Sequence, residues 1–221
     1  IAVRPDALTV WNEDMRHEAV ATHGYRPERV AVTGVPPFDH WATGARMPRA
    51  EFLAKYGLDP AKKVIMYMTA AARILPNEHE VVAHLIEASK AGAFGEFVPI
   101  FVRIHPREDR PEWKRLMNIP GVIIEKPPHS TGTDWDANLG DLEHLRNTLN
   151  AGDVSMNVVS TVTVEACIAD RPVFNIGYDG DRNPPEKDSA RRHYRFTHYK
   201  RVPECGIPVA WSRQEMIDLV K

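Results

Sequence analysis

The run Arg103-Ile104-His105-Pro106-Arg107 places three side chains that can carry positive charge within five residues. In an extended chain Arg103 and His105 point to the same side, and Pro106 ends the strand just before Arg107. Guanidinium groups bind phosphate through paired hydrogen bonds, and an imidazole adds a further donor. The run therefore predicts an anion site at the end of a strand, although a structural histidine between solvated arginines fits the same pattern.

A second pattern, Ser160-Thr161-Val162-Thr163-Val164-Glu165, combines hydroxyls with a carboxylate at the start of a predicted helix. Ser160 or Thr161 is suited to cap this helix, and the open N–H groups and the helix dipole favour a phosphate there. Glu165, about one turn into the helix, could accept two hydrogen bonds from ribose hydroxyls. The alternative is an ordinary helix cap followed by a glutamate that the dipole favours.

A third pattern, Thr69-Ala70-Ala71-Ala72-Arg73, follows the most apolar predicted strand. Small side chains let a ligand approach the backbone, and Arg73 could reach a phosphate as a planar donor. A loop with one solvated arginine is the alternative.

The elements that must position these loops alternate along the chain. Predicted strands cover residues 7–11, 29–33, 64–69, 98–104, 121–125, 153–158, 172–176 and 207–211. Predicted helices cover residues 13–23, 49–56, 77–89, 141–150, 161–169 and 212–220, with one more starting at Asp109, whereas 178–200 is predicted to be irregular. This alternation predicts an α/β, Rossmann-like parallel sheet with helices on both faces.

Counted from the strand at 64–69, the predicted strand order is 3-2-1-4-5, which reverses direction between the strands at 64–69 and 153–158. Ligands of such sheets bind outside the carboxyl ends of the strands at this switch point. All three patterns fall on loops that follow strands near that point. We therefore predict that the three loops surround one pocket for a diphosphate.

Composition excludes several classes of protein. The 221 residues contain 28 Lys and Arg against 30 Asp and Glu, a net charge of −2, which gives no global attraction to nucleic acid. No run of about 20 apolar residues is present to span a bilayer. Two cysteines exclude a disulfide scaffold and favour a cytoplasmic location. The Gly-x-Gly-x-x-Gly fingerprint of NAD enzymes is missing.

Other candidate sites are weaker. Asp134, Asp136 and Asp141 lack the spacing of a calcium loop. His193 and His198, five residues apart, could bind a metal but fit an ordinary polar loop better, so no metal is expected. The basic residues of the segment 191–201 fit a solvated loop best. Contact with a phosphorylated acceptor, or peripheral contact with anionic lipid at the inner face of a membrane, are the alternatives.

Both ends of the sequence look cut, since it starts at Ile1 without Met and stops at Lys221 inside a helical pattern. We expect residues 1–33 to be the end of, or a linker from, a preceding amino-terminal domain. Residues 34–221 are then a Rossmann-like nucleotide-donor-binding domain truncated at both ends.

Across residues 28–212 the sequence resembles the carboxy-terminal half of a GT-B glycosyltransferase. The run Val32-Thr33-Gly34-Val35-Pro36-Pro37-Phe38-Asp39 is similar to the V-T-G-x-P-x-x-D entry into that domain, and residues 160–173 are similar to its donor-binding helix and strand. The His105-Pro106 and Ser160-Thr161 pairs resemble those of bacterial sialyltransferases. The run 103–107 also resembles the glycerophosphotransferases that use CDP-glycerol for surface polysaccharide synthesis.

The resemblance implies that His105 and Ser160 or Thr161 hold the phosphates of a CMP- or CDP-linked donor, and that Glu165 binds its ribose. UDP-sugar enzymes share this layout, so the base stays open. The resemblance also implies a metal-independent enzyme with no cofactor besides its donor substrate. Its acceptor would be a glycan or a lipid-linked glycan. The general base would lie on the amino-terminal domain, so the isolated fragment would be inactive.

The predicted function is therefore donor binding for a glycosyltransferase or glycerophosphotransferase. A UDP-sugar 2-epimerase and a non-catalytic domain that keeps the fold are the alternatives. No catalytic residue is assigned. The predicted nucleotide-binding residues are Thr69, Arg73, Arg103, His105, Arg107, Ser160, Thr161 and Glu165.

Overall fold

The structure is a computed structural model that describes residues 4–127, 139–196 and 199–221. The chain divides into two compact units, Ile1–Gly44 and Ala45–Lys221. The sequence places a boundary at residue 33 instead, and the assignment of residues 1–33 to a preceding domain stays a prediction.

The smaller unit contains a two-stranded parallel sheet. Strands β1 (Leu8–Val10) and β2 (Val30–Val32) pair in parallel and are joined through helix α1 (Glu13–Ala21). The Asn12 side chain accepts a hydrogen bond from the Met15 N–H at 2.9 Å and caps this helix. A short helix, α2 (Asp39–Thr43), ends the unit.

The larger unit is built on a six-stranded parallel sheet. Its strands are β3 (Ile65–Met68), β4 (Ile100–Arg103), β5 (Val122–Glu125), β6 (Val154–Asn157), β7 (Val173–Ile176) and β8 (Val209–Ala210). Their order is β5-β4-β3-β6-β7-β8, so the predicted order is confirmed and the sixth strand adds beside β7. The order reverses at β3, where Met68 lies opposite Arg103 on one side and Asn157 on the other.

Helices cover the sheet in two layers. They are α3 (Arg49–Lys55), α4 (Glu78–Lys90), α5 (Leu139–Ala151), α6 (Val162–Ile168), α7 (Arg201–Glu204) and α8 (Arg213–Val220). Helices α3 and α5 pack against each other, as do α4 and α8. The predicted Rossmann-like α/β fold is confirmed. None of the helices in the described ranges is long and apolar enough to cross a membrane.

Strand β4 shows how the sheet divides its side chains between the layers. Ile100 belongs to one hydrophobic cluster with Leu85 of α4, whereas the Phe101 ring lies 5.7 Å from Phe52 of α3. Successive side chains of a strand face opposite sides, so Arg103 follows Phe101 toward the α3 and α5 layer. Both faces are covered, and the strand is therefore apolar almost throughout.

Two predicted segments differ from the structure. The helix expected from Asp109 is a 3-10 helix, Pro111–Leu116, because Arg110 and Pro111 enter it in extended and proline-restricted conformations. The segment expected to be irregular contains two 3-10 helices, Glu186–Asp188 and Ala190–Arg195.

Candidate functional site

A cleft of about 450 Å³ opens at the carboxyl edge of the sheet, where the strand order reverses. This volume lies within the usual range for small-molecule sites. The three loops singled out in the sequence supply its walls, which consist of residues 69–74, His105, Arg107 and residues 158–160. We call this feature the cleft.

The cleft brings together five of the eight predicted binding residues: Thr69, Arg73, His105, Arg107 and Ser160. The structure does not place Arg103, Thr161 or Glu165 in its lining. Arg73 and Arg107 are exposed, and no carboxylate lies among the described residues of the lining. The cleft is therefore suited to an anion.

The first loop is held by a buried glutamate, Glu78, which the sequence analysis does not identify as a candidate. Glu78, fully buried, accepts the Ala70 N–H through both carboxylate oxygens, at 2.9 and 3.1 Å. The Tyr67 hydroxyl donates to the same carboxylate at 3.1 Å. Burial raises the pKa of Glu78 well above its ordinary value, although the hydrogen bonds from Ala70 and Tyr67 act to lower it.

The second loop is tied to the first by Thr69. The His105 N–H donates to the Thr69 hydroxyl at 2.7 Å. The Arg107 N–H donates to His105 Nδ1 at 3.1 Å, which leaves the proton of a neutral imidazole on Nε2. Burial, followed by the Arg107 charge, lowers the pKa of His105. The lowered pKa favours the neutral imidazole, in which Nε2–H is the donor.

A buried ion pair fixes the turn that follows Arg107. Glu108 is only 2% exposed, and its carboxylate accepts hydrogen bonds from the Arg110 N–H at 3.0 Å and from Arg110 Nε at 2.8 Å. Its own N–H donates to the His105 carbonyl at 2.8 Å. The Glu108 charge is thus matched by Arg110, outside the cleft lining.

The third loop is more fully bonded than the sequence predicts. The Ser160 N–H donates to Asn157 Oδ1 at 3.2 Å, and the Ser160 hydroxyl accepts the Val162 N–H at 3.3 Å. Thr161 stands at the N-cap position of the helix and its side chain makes no capping bond, so the Ser160 hydroxyl takes that role, and the Val162 N–H, expected to be open, is already bonded. The helix that follows, α6, has only seven residues.

Val159, between the two cleft residues Val158 and Ser160, has a φ of +46°. A β-branched residue rarely adopts this left-handed conformation, which costs about 1–3 kcal/mol. This strained residue forms part of the wall of the cleft and needs support from neighbouring groups.

Arg103 lies outside the cleft lining, in what we call the buried ion cluster: the buried Arg103 with the half-buried Tyr56, Glu125 and His144. Arg103 Nη1 donates to His144 Nδ1 at 2.6 Å, and His144 Nε2 lies 3.2 Å from Glu125 Oε2. The Tyr56 hydroxyl donates to Glu125 Oε1 at 2.6 Å. Strand β4 ends at Arg103, and the chain then turns toward Thr69, which separates Arg103 from His105.

The charges in the buried ion cluster compensate one another. Burial lowers the pKa of Arg103, and the charge of Glu125 opposes this effect most strongly. Burial works to raise the pKa of Glu125, but hydrogen bonds from His144 and Tyr56 hold it below its ordinary value. The Arg103 guanidinium is therefore engaged by the fold.

Glu165 and Thr161 also lie outside the cleft lining. Glu165 is buried and is one of the negative groups, with Glu125 and Asp141, whose charges act on Arg103. Thr161 is exposed, and its carbonyl accepts the Val164 N–H at 2.9 Å. Ribose binding by Glu165 and phosphate binding by Thr161 stay predictions.

No group of three or more His, Cys, Asp or Glu side chains that could hold a metal ion occurs within residues 4–127, 139–196 and 199–221. His198, Asp134 and Asp136 lie outside the described residues. The structure therefore does not describe three of the residues considered as metal ligands, and metal independence stays a prediction.

A larger cavity, of about 690 Å³, lies at the opposite edge of the sheet, where β3, β6 and β7 begin. Its lining includes Lys63, Asp153 and Lys221 but none of the predicted binding residues. It provides matched positions for control substitutions.

No family model matches this sequence, and no curated protein matches it. Solved structures do. The UDP-GlcNAc 2-epimerase of Methanocaldococcus jannaschii, in complex with UDP-GlcNAc and UDP, has a TM-score of 0.60 at 15% identity, over 97% of this chain and 53% of that chain. The wall teichoic acid polymerase TagF has a TM-score of 0.58 at 18% identity, over 97% of this chain and 48% of that chain. The Neisseria meningitidis UDP-GlcNAc 2-epimerase bound to UDP-GlcNAc has a TM-score of 0.57 at 14% identity, over 93% and 50%.

Likeness at these identities establishes the fold: the chain is a Rossmann-like α/β domain of the GT-B type. The predicted resemblance to GT-B enzymes is confirmed at that level, whereas the likeness to sialyltransferases stays a prediction. The chain spans about half the length of these proteins.

Proposed function

We propose that this chain is the donor-binding domain of a GT-B-type transferase that builds a bacterial surface glycan. Its donor is nucleotide-activated, either CMP- or CDP-linked or UDP-linked, and its acceptor is a glycan or a lipid-linked glycan. The solved structures in complex with UDP-GlcNAc and the teichoic acid polymerase support a nucleotide-linked ligand for this fold.

One observation carries the proposal. Two guanidiniums and one imidazole, from Arg73, Arg107 and His105, line a single cleft at the switch point of the sheet, together with the Thr69 and Ser160 hydroxyls. Positive and neutral donors in a cleft free of carboxylates among its described residues match a diphosphate.

The chemistry follows from where charge develops. An acceptor hydroxyl attacks the anomeric carbon of the donor, or the phosphorus of a glycerol phosphate, and the bond to the nucleotide phosphate breaks. The departing phosphate gains negative charge, which the arginines and the His105 Nε2–H would stabilise. No carboxylate among the described residues of the cleft lining could deprotonate the acceptor, and we place the general base on a facing domain of the complete enzyme.

Titration calorimetry with CMP, CDP, UMP, UDP and pyrophosphate tests this proposal. We expect both nucleoside diphosphates to bind more tightly than the monophosphates, because the second phosphate adds charge-assisted contacts. His105→Ala should weaken all five ligands. Glu165→Ala should weaken the nucleotides alone, since pyrophosphate has no ribose.

Lys63→Ala, in the cavity at the opposite edge, is the matched control and should bind every ligand as wild type does. The proposal fails if no nucleotide binds, or if nucleotides bind equally well to wild type, to His105→Ala and to Glu165→Ala. A non-catalytic domain would give that result.

A second function, epimerisation of a UDP-sugar, is favoured by the likeness to two UDP-GlcNAc 2-epimerases. Incubation of the full-length protein with UDP-GlcNAc in the absence of any acceptor separates the two functions. Epimerised product would identify an epimerase, whereas a transferase would leave the sugar unchanged.

A further inference from the structure

The segment that follows β7 contributes three buried residues, Ser189, Ala190 and Tyr194, although its sequence reads as a polar loop. Ser189 and Ala190 anchor it through hydrogen bonds to Asp179, at 2.5 and 2.8 Å. The Tyr194 hydroxyl donates to the Ile176 carbonyl at 2.6 Å and is bonded to the backbone of Val159. The backbone of Val159, the strained residue of the cleft wall, therefore has the buried Tyr194 as a partner.

Tyr199, five residues further along, reaches the same wall. Its hydroxyl lies 2.9 Å from Asn175 Oδ1, 3.2 Å from Thr163 Oγ1 and 3.2 Å from the Ser160 carbonyl. Tyr199 is 6% exposed, Thr163 is 2% exposed and Asn175 is fully buried. A cleft residue and two buried polar side chains thus meet at one hydroxyl.

The bonds continue to the other side of Ser160. Asn157, fully buried at the end of β6, donates its amide to Thr163 Oγ1 at 3.0 Å and accepts the Ser160 N–H at 3.2 Å. Both backbone groups of Ser160 are therefore held by one network. We call it the polar hub, and it consists of Asn157, Thr163, Asn175 and Tyr199.

A buried polar group without a partner is costly, and a bonded network favours one geometry. Every residue of the hub has at least one bonded polar atom, although Asn175 Nδ2 has no hydrogen-bond partner among the described residues. The hub joins four elements of the chain at the point where the cleft wall is strained. A simple hydrophobic contact would fill the same space without fixing the Ser160 backbone. The hub is placed to set the position of the cleft wall.

We propose that Tyr199 and Thr163 are positioning residues of the cleft: their hydroxyls hold the turn at 158–161 in the conformation that receives the ligand phosphates. The proposal rests on the proposed function, because it concerns the same ligand. It adds the residues that fix the site without lining it.

Tyr199→Phe and Thr163→Val each remove one hydroxyl and keep the shape of the side chain. Tyr178→Phe is the matched control, because Tyr178 is also 6% exposed and its hydroxyl bonds only His84 and Met216 among the described residues. Thr163→Ser retains the hydroxyl. Calorimetry with CDP, UDP and pyrophosphate, amide hydrogen exchange and thermal melts are measured for each variant.

We expect Tyr199→Phe and Thr163→Val to weaken CDP, UDP and pyrophosphate about five- to tenfold, the value of one lost hydrogen bond. Amide exchange at residues 158–161 should become faster in both variants. Tyr178→Phe should lower the melting temperature without changing either readout, and Thr163→Ser should bind within about twofold of wild type.

Unchanged affinity or unchanged exchange at 158–161 in Tyr199→Phe, while His105→Ala still weakens binding, would overturn the positioning role and leave the proposed function intact. If Tyr199→Phe does not fold, Thr163→Val decides by the same criteria. A wild-type protein that binds none of the three ligands would overturn the proposed function and this inference together.

Discussion

Arg103 and His105 are two residues apart, yet they belong to regions with opposite roles. In the buried ion cluster, Arg103 is 9% exposed and its charge faces Glu125. In the cleft, Arg73 and Arg107 are exposed and no described carboxylate shares the lining. The first region uses a cation to join strand to helix, and the second leaves its cations available.

The difference shows that residue type does not decide whether a cation can bind a ligand. A guanidinium buried next to carboxylates has already exchanged water for protein partners, so a phosphate would have to displace them. A guanidinium at the rim loses much less hydration when a ligand arrives. Substitutions in the two regions should therefore change different properties, stability in one and affinity in the other.

The largest effect is expected from Arg103→Met. Removal of the guanidinium leaves His144 Nδ1 without its donor at 2.6 Å and removes a positive charge that acts on the half-buried Glu125. The loss of such a charged hydrogen bond costs about 3 kcal/mol of unfolding free energy. Arg107→Met, at an exposed position, should change stability by less than about 0.5 kcal/mol. Urea denaturation monitored by circular dichroism measures both.

The comparison would break down if Arg103→Met were as stable as Arg107→Met. It would also break down if Arg103→Met retained its stability and lost nucleotide affinity, because Arg103 would then act as a ligand residue.

A smaller but still large effect is expected from charge reversal in the cleft. The double variant Arg73→Glu and Arg107→Glu replaces attraction by repulsion and should weaken UDP and CDP about 30-fold at low salt. The difference from wild type should shrink as salt is added, since both positions are exposed. Calorimetry at two salt concentrations measures it.

Lys63→Glu combined with Lys221→Glu makes the same change in net charge at the opposite edge of the sheet. Equal weakening by both double variants would mean that overall charge, rather than the cleft, attracts the ligand.

A tenfold effect is expected at His105. His105→Ala removes the Nε2–H donor and should weaken CDP about tenfold, whereas His105→Gln presents an amide N–H and should stay within about threefold of wild type. Competitive displacement of a fluorescent CDP analogue gives the two constants. If His105→Gln bound CDP as weakly as His105→Ala does, the imidazole would act by its charge rather than as a neutral donor.

The smallest effect concerns pH. Burial and the Arg107 charge lower the pKa of His105 from its ordinary value of 6.5, so the unfolded chain binds more protons near that pH. The contribution of neutral His105 to the unfolding free energy is complete above about pH 6.5. It is lost as the pH falls through the lowered pKa of the folded state. The unfolding free energy should therefore fall less steeply between about pH 7.5 and about pH 5.5 in His105→Gln than in wild type. Parallel slopes in urea melts would contradict the lowered pKa.

Local patterns predicted the sheet and the meeting of the three loops because each depends on short-range regularities. Apolar runs of four to six residues ended by polar or proline residues mark strands such as β3 and β4. The pattern placed Arg103 and His105 on one side of an extended chain, whereas β4 ends at Arg103 and the cleft lining contains His105 without Arg103. The roles of Arg103 and Glu165 toward a nucleotide stay predictions.

The supports of the cleft carried almost no signal in the sequence. Glu78 reads as an ordinary first-turn glutamate, and Asn157 and Asn175 read as polar ends of strands. The tyrosines of the segment after β7 read as part of a basic loop. Each gains its role only from partners far away in the chain, such as the Ser160 carbonyl for Tyr199.

The sequence by itself determined the strand order and the loops that end at one edge of the sheet, since parallel crossovers leave few arrangements for such an alternation. Only the tertiary structure decided which cations stay in water and which the interior neutralises. That choice depends on burial and on groups brought together across the whole domain, as Arg103 with His144 and Glu125 demonstrates. Desolvation is a property of the packed molecule, and no local pattern encodes it.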